Sequence, residues 1–261
     1  MDPDHEQVAR IGLTALQDRG YALAGGHALA MHGIGSRPSK DVDLFTDRQQ
    51  TDFRQTVEGL QAAYGEQGYA VGVTRQADEY AQLQLTKEGR TTQIELGRDY
   101  RSRPPVDSPV GPVISAQDAV GSKVGTVYQR GDAKDYVDLQ ACAQSGRYTH
   151  DQLLELADER EMSPMDRGMY AEQLDFASRI PDAQYAQQGL SPDQIATLKQ
   201  DMGGWAQELR TRAANPDIDN GMRLMQTGST RQGPSRSGQT GATTYQPPTP
   251  TQSRDQGPRG V

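Results

Sequence analysis

GGHALAMHGIGSRPSKDVDLF, residues Gly25 to Phe45, carries the deciding pattern of this 261-residue chain. At its far end Asp41 and Asp43 alternate with Val42 and Leu44, as a half-buried strand requires, so both carboxylates share one face. Carboxylates side by side are close enough to share a hard divalent cation. Without one their charge in a cleft is costly, so a cation or a raised pKa is expected. At the near end, Tyr21 to Ala24 reads as a short apolar strand, Gly25-Gly26 as a turn, and His27 to His32 as the start of a helix. Amides at a helix N-terminus bind phosphate, and glycines let the phosphate approach the chain. Each half has an ordinary alternative, a solvated acidic strand face or a tight turn. Their conjunction within about twenty residues points to a nucleoside triphosphate (NTP) held with Mg2+.

The flanking sequence supplies a frame for that site. Val8, Ile11 and Ala15 recur at helical spacing, and Gly20 ends the segment where a left-handed cap is wanted. Phe53, Val57, Leu60 and Tyr64 form a second helical stripe, and Tyr69 to Val73 reads as a strand. Leu83 and Leu85, the KEGR turn, then Ile94 and Leu96 read as a hairpin whose second strand puts Glu95 on the face opposite its apolar neighbours. A strand next to DVDLF would aim Glu95 at the same cleft. Ser115 with Asp118 forms a capping box for a helix running through Lys123 to Arg130, and another helix begins near Ala133. From Tyr148 to Arg212 the pattern is helical, broken near Pro164, Pro181 and Gly189 to Pro192, with Trp205 and Leu209 packing inward. The reading is α/β (α+β): a mixed-sheet domain over residues 1–114, a helical domain over 115–220 and a disordered tail over 221–261.

Composition narrows the function classes. Only 34% of residues are hydrophobic, and from Gln226 to Val261 there is no Leu, Ile, Phe, Met or Trp. That stretch buries too little apolar surface to offset its ordering entropy. There is no apolar run of about 18 residues. The opening MDPDHEQVAR lacks the basic and apolar blocks of a secretory signal, so a cytoplasmic protein without membrane attachment is expected. A lone Cys142 excludes an internal disulfide and a cysteine-clustered zinc site. The net charge of −8 disfavours a protein that coats nucleic acid. The charge is uneven: residues 151–220 hold 14 acidic and 6 basic groups, whereas residues 87–134 hold 8 basic and 6 acidic, so a polyanion would meet the middle of the chain first.

At the motif level, Gly25 to Phe45 resembles the first two motifs of the AbiEii/AbiGii-type nucleotidyltransferases, the toxin half of type IV toxin–antitoxin systems: a glycine pair, then R-x-S/T-x-D-x-D. DAVGSK, Asp118 to Lys123, is similar to that family's D-x4-K motif, and AKDYVDL, with Asp135 and Asp138, to its K/R-D-x-x-D-L motif. The four motifs occur in the right order, and the likeness spans residues 10 to 145, with a helical stretch of similar character to 212. His27 stands where small or hydroxyl residues are common, and Gly33 to Ser36 extend the link before Arg37.

The resemblance implies the minimal nucleotidyltransferase fold and an enzyme that moves a nucleotide from an NTP to tRNA or a protein, restrained by a cognate antitoxin. A small-molecule acceptor, as in antibiotic-modifying relatives, and a non-catalytic nucleotide-binding module are the alternatives. Carried over by position, Gly25 and Gly26 would hold the triphosphate, Asp41 and Asp43 would ligate Mg2+, Lys123 would contact phosphate or the leaving pyrophosphate, and Asp135 would be the acidic member of the last motif. A third acid is needed; Glu95 fits by geometry and Asp135 by motif. For Asp135 and Asp138 the alternative is helix capping and ion pairing with Lys134 or Arg130, with function favoured for Asp135 and structure for Asp138. Arg37 and Lys40 either steer phosphate or are solvated loop charges, and Ser39 is expected to brace the aspartate strand. Arg98, Arg101 and Arg103 read as a solvated loop, with guidance of an RNA acceptor as the alternative.

Overall fold

A computed structural model describes residues 1–49 and 52–215. The expected tail, 221–261, and the end of the expected helical domain lie outside the described residues. The chain opens with α1 (Pro3–Ala15), β1 (Ala22–Leu23), α2 (Gly25–Met31), β2 (Asp41–Thr46), α3 (Phe53–Glu66), β3 (Ala70–Gln76), β4 (Tyr80–Lys87) and β5 (Arg90–Arg98). A small hairpin, β6 (Val106–Ser108) and β7 (Gly111–Val113), leads into α4 (Ala116–Gln129) and α5 (Ala133–Gln144). Then follow α6 (His150–Asp158), α7 (Arg167–Phe176), α8 (Asp182–Ala186) and α9 (Pro192–Ala214).

Local chemistry sets these boundaries. Asp52, Ser115, Thr149, Asp166 and Ser191 each cap a helix by accepting the backbone N–H two or three residues into it. Gly20 closes the first helical segment at φ 72°, the left-handed value expected for it. The β6–β7 hairpin has no counterpart in the sequence reading, because its three-residue strands lie in a Pro- and Gly-bearing stretch that reads as loop.

The seven strands form one mixed sheet in the order β3-β4-β5-β2-β1-β7-β6. The central step is parallel: β2 pairs with β5, and β1 then runs antiparallel to β2. Val42 and Leu44 of β2 are fully buried. They face α1 and α3, which the Tyr64 hydroxyl ties together by donating to the Val8 carbonyl at 2.8 Å. The other face of β2 carries Asp41, Asp43 and Phe45 and looks toward α2 and α4. Residues Met1–Pro216 form one unit, and a single apolar core runs from Val8 to Leu209, with Trp205 turned inward as expected. Among the described residues no helix is long and apolar enough to cross a membrane.

Candidate active site

The parallel pairing of β2 and β5 brings three acids together. Asp43 lies opposite Glu95 and Asp41 opposite Gln93, and the pleat turns Asp41, Asp43 and Glu95 to one face. Side-chain amides hold Glu95 from both sides: Gln82 Nε2 donates to Glu95 Oε1 at 3.4 Å and Gln93 Nε2 at 3.3 Å. Burial, then the charges of Asp41 and Glu95, push the Asp43 carboxyl up from 3.8 to about 7, with Lys123 and Lys134 pulling the other way. Lys134 Nζ stands 3.9 Å from Asp41 Oδ2.

The glycine pair is built against these acids. Gly25 and Gly26 are the first two residues of α2, where the sequence reading placed a turn before the helix. Gly25 sits at φ 61°, in the left-handed region. A Cβ there would collide with the Asp43 carboxylate, and one on Gly26 would sit 2.6 Å from Ser39 Oγ and 3.2 Å from Arg37 Nη2. The backbone comes this close because Ala24 N donates to the Asp43 carbonyl at 2.9 Å, stitching the end of β1 to β2. Ser39 thus faces Gly26, and its hydroxyl makes no hydrogen bond among the described residues, in place of the expected brace on the strand. Lys40 is exposed and makes no ion pair there either.

Lys123 and Arg37 converge on one carboxylate. Arg37 Nε and Nη2 donate to the two oxygens of Asp138 at 2.9 and 3.0 Å, and Lys123 Nζ lies 2.9 Å from Asp138 Oδ2. All three side chains are at least nine-tenths buried, so Arg37 is not the solvated loop charge that was one reading of it. Burial alone would raise the Asp138 carboxyl, but Lys123 and Arg37 outweigh it and hold it below the usual range. Burial likewise opposes the Lys123 charge, and Asp138 and Asp43 outweigh it in turn. The sequence reading gave Asp138 a structural role with Lys134 or Arg130 as its partner, whereas Arg37 and Lys123 hold it. The one available signal was complementary charge, and Arg37 and Asp138 lie 101 residues apart.

Asp135 is engaged differently. Its carboxylate is fully buried, accepts from Arg130 Nε and Nη2 at 2.8 and 2.9 Å and from the Asp132 backbone N–H at 3.0 Å, and so completes the capping box of α5. Capping and pairing with Arg130 is the structural alternative weighed above. Asp118 of D-x4-K is buried as well. It accepts from the Ser102 and Arg103 backbone N–H groups and from the Ser115 hydroxyl, pinning the loop after β5 to the start of α4. Each arginine of this stretch has a carboxylate partner, and Arg101 alone is buried: Arg98 at the end of β5 pairs with Glu79 and Arg103 with Glu159 at the solvent-exposed surface, and Arg101 pairs with Asp47. His27 is buried against His5, with 3.0 Å between His5 Nδ1 and His27 Nε2, and burial lowers its pKa to about 4. His32 Nε2 lies 2.8 Å from the Ile114 carbonyl.

The donor set fits Mg2+. Among the described residues no three His, Cys, Asp or Glu side chains gather as a complete metal cage. Mg2+ is ordinarily bound by one or two carboxylates plus the oxygens of a phosphate substrate and water, so Asp41 and Asp43 are a sufficient protein share. The Asp43 carboxyl is raised by burial first and by the Asp41 and Glu95 charges second, and a dication would relieve both.

A family model described as "Nucleotidyl transferase AbiEii toxin, Type IV TA system" matches residues 13–222. No curated protein matches the chain. Among solved structures, a Helicobacter pylori protein whose assignment as a nucleotidyltransferase is provisional aligns with TM-score 0.50 at 16% identity, over 80% of this chain and 94% of its own. JHP933 from Helicobacter pylori aligns with TM-score 0.49 at 16% identity, over 85% of this chain and 97% of its own.

Proposed function

The chain belongs to the AbiEii family of nucleotidyl transferase toxins of type IV toxin–antitoxin systems, and on that premise we propose that it transfers a nucleotide from an NTP to a macromolecular acceptor, tRNA or protein, with release of pyrophosphate. The observation that carries this reading is the in-register pairing of Asp43 with Glu95 beside a glycine pair whose missing Cβ atoms let the backbone close against Asp43 and Ser39.

An acceptor hydroxyl oxygen forms a bond to the α-phosphorus, the bond from that phosphorus to the β-bridging oxygen breaks, and pyrophosphate leaves. Glu95, aligned by Gln82 and Gln93, takes the hydroxyl proton. Asp41 and Asp43 would hold Mg2+, which when bound would supply charge neutralisation on the phosphates and a lowered pKa for the acceptor hydroxyl. The Gly25 and Gly26 amides and the Ser39 hydroxyl face the triphosphate, and Lys134, Lys123 and Arg37 supply the positive field around it. The exposed Lys40, one residue before Asp41, would steer the phosphates from solvent. Asp135 acts through the scaffold, by fixing the start of α5 from which Lys134 and Asp138 project. The cytoplasm, where NTPs and tRNA occur, is the proposed site of action, and an antitoxin the proposed restraint.

Incubating the full chain and MgCl2 with each α-labelled NTP in a cell extract tests this. Label is expected in one macromolecular fraction, and Asp41→Ala or Asp43→Ala abolishes it. Parent-level labelling by those variants overturns the reading, and label confined to small molecules moves the acceptor to the antibiotic-type class.

A further inference from the structure

Beyond the acids, the same face of β2 carries Phe45, two residues past Asp43 and so roughly 7 Å along the strand. Its ring is only partly buried. Above it lies a recess of about 250 Å³ bounded by Phe45, by Gly121, Ser122, Gly125, Thr126 and Gln129 along one face of α4, and by Arg160 near the end of α6. Drug-sized ligands occupy about 300–1,000 Å³, so this space suits one planar ring system rather than a whole nucleotide.

Two glycines of α4, one turn apart, line the recess for different reasons. A Cβ on Gly121 would strike the Leu156 carbonyl, so close packing against α6 explains it. A Cβ on Gly125 would meet only Glu161 Oε1, at 4.0 Å, so packing does not explain this glycine; its absent side chain leaves the recess open. On the polar rim Arg160 is paired with Asp99 and Asp118 and the Thr126 hydroxyl donates to the Ser122 carbonyl, which leaves two weakly engaged groups. The Ser122 hydroxyl has no hydrogen bond among the described residues, and the Gln129 carboxamide has one long contact, 3.4 Å to Glu161.

We propose that this recess receives the nucleobase of the incoming NTP, with Phe45 as the stacking surface and Ser122 and Gln129 facing the base edge. The proposal rests on the reading of the Asp41–Asp43 cleft as an NTP site, and it places base selection on α4, the helix that also supplies Lys123. A base seated on Phe45 leaves its triphosphate within reach of the acids and of the Gly25-Gly26 backbone.

The test measures binding to the full chain in MgCl2 of four non-transferable α,β-methylene NTP analogues, of inorganic tripolyphosphate as the base-free probe, and of short single-stranded trinucleotides. The parent is expected to bind at least one analogue roughly 5- to 100-fold tighter than tripolyphosphate, the span of one base–aromatic stack. Phe45→Ala and Gly125→Leu should bring the analogues down to the tripolyphosphate level and leave tripolyphosphate unchanged. Leu at position 125 enters open space and removes a helix-interior glycine, so its unfolding temperature should not fall. Gln129→Ala should change the order of preference among the four analogues. Analogues binding no tighter than tripolyphosphate, or unaffected by Gly125→Leu, overturn the base pocket and leave the phosphate site standing. Loss confined to the trinucleotides reassigns the recess to the acceptor and overturns it as well. If neither tripolyphosphate nor any analogue binds, the NTP reading of the cleft itself has failed.

Discussion

The strand acids and the helix acids of this protein are the same residue types in similar short motifs, yet their surroundings differ completely. Asp41, Asp43 and Glu95 project from adjacent parallel strands, and burial first, then nearness to Asp41 and Glu95, raises the Asp43 carboxyl. Asp118, Asp135 and Asp138 belong to the two helices that follow the sheet, and each is saturated by arginine, lysine or backbone N–H groups. Burial works against charge in both groups, and partners decide the outcome: Asp43 moves up, while Asp118 and Asp138 move down. Charge left without a counterion marks where a ligand is wanted, and charge matched by fixed cations marks scaffold.

Asp43→Asn breaks the first half of that contrast with the largest effect. It should lower nucleotide transfer by about 10^3-fold or more, because several kcal/mol of charge stabilisation depend on the metal-binding carboxylate. Stability of the metal-free protein should move the opposite way. A carboxyl raised from 3.8 to about 7 favours the folded state while protonated, and that contribution fades as pH rises toward 7. The asparagine variant should therefore melt at or above the parent temperature at pH 8 without metal. MgCl2 should raise the parent's melting temperature and leave the variant's unchanged, which differential scanning fluorimetry would read.

Asp138→Asn breaks the second half. It leaves Arg37 and Lys123 buried without their shared counterion, a loss of about 3–5 kcal/mol. At about 2–4 °C per kcal/mol for a chain of this size, the melting temperature should drop by roughly 6–20 °C. The pH dependence has the opposite sign to that of Asp43. The Asp138 carboxyl is held below its usual 3.8, so its stabilisation is fully present above that value and is lost as pH falls through the folded pKa. Parent and variant should converge in acid and separate toward neutral pH. A variant that melts like its parent at pH 7 would mean that this ion triad holds nothing together.

Gly25→Ala sharpens the comparison at its contact point, since the new methyl meets both a left-handed φ and the Asp43 carboxylate. A loss of about 1–3 kcal/mol in stability is expected, with a fall in transfer beyond what the melting shift explains. Parent-like transfer would show that Asp43 tolerates displacement.

What the sequence could reveal follows the same division. The strand acids were legible because D-x-D on a period-two pattern fixes a shared face locally, and Glu95 because its hairpin had to lie somewhere in the same sheet. The family pattern then arranged the four motifs in order. Arg130 was legible as the partner of Asp135, five residues away, but the partners of Asp138 were not, because Arg37 reaches it from the α2–β2 link and Lys123 from α4, and no local period encodes that meeting. The pairing of Arg98, Arg101 and Arg103, and the burial of Arg101, were not legible for the same reason. Three basic residues within six positions look like a solvated patch until Glu79, Asp47 and Glu159 arrive from elsewhere to match them. The recess on α4 was invisible for a third reason: Gly125 differs from Gly121 only in what lies across from it.

Arg103→Gln is the smallest perturbation, and it asks whether a matched surface cation belongs to the scaffold or to an acceptor path. Arg103 Nη1 lies 2.6 Å from Glu159, but both side chains are about a third or more exposed, so the pair contributes only about 0–1 kcal/mol. The backbone N–H of residue 103, which anchors the loop to Asp118, survives the substitution. Melting temperature and labelling of the acceptor should therefore stay within about 4 °C and about twofold of the parent. A polyanion acceptor that drew Arg103 away from Glu159 would give a different signature: weaker acceptor binding and a salt slope smaller by about one, with tripolyphosphate binding unchanged. That outcome would move one helix-side ion pair out of the scaffold and into the substrate path.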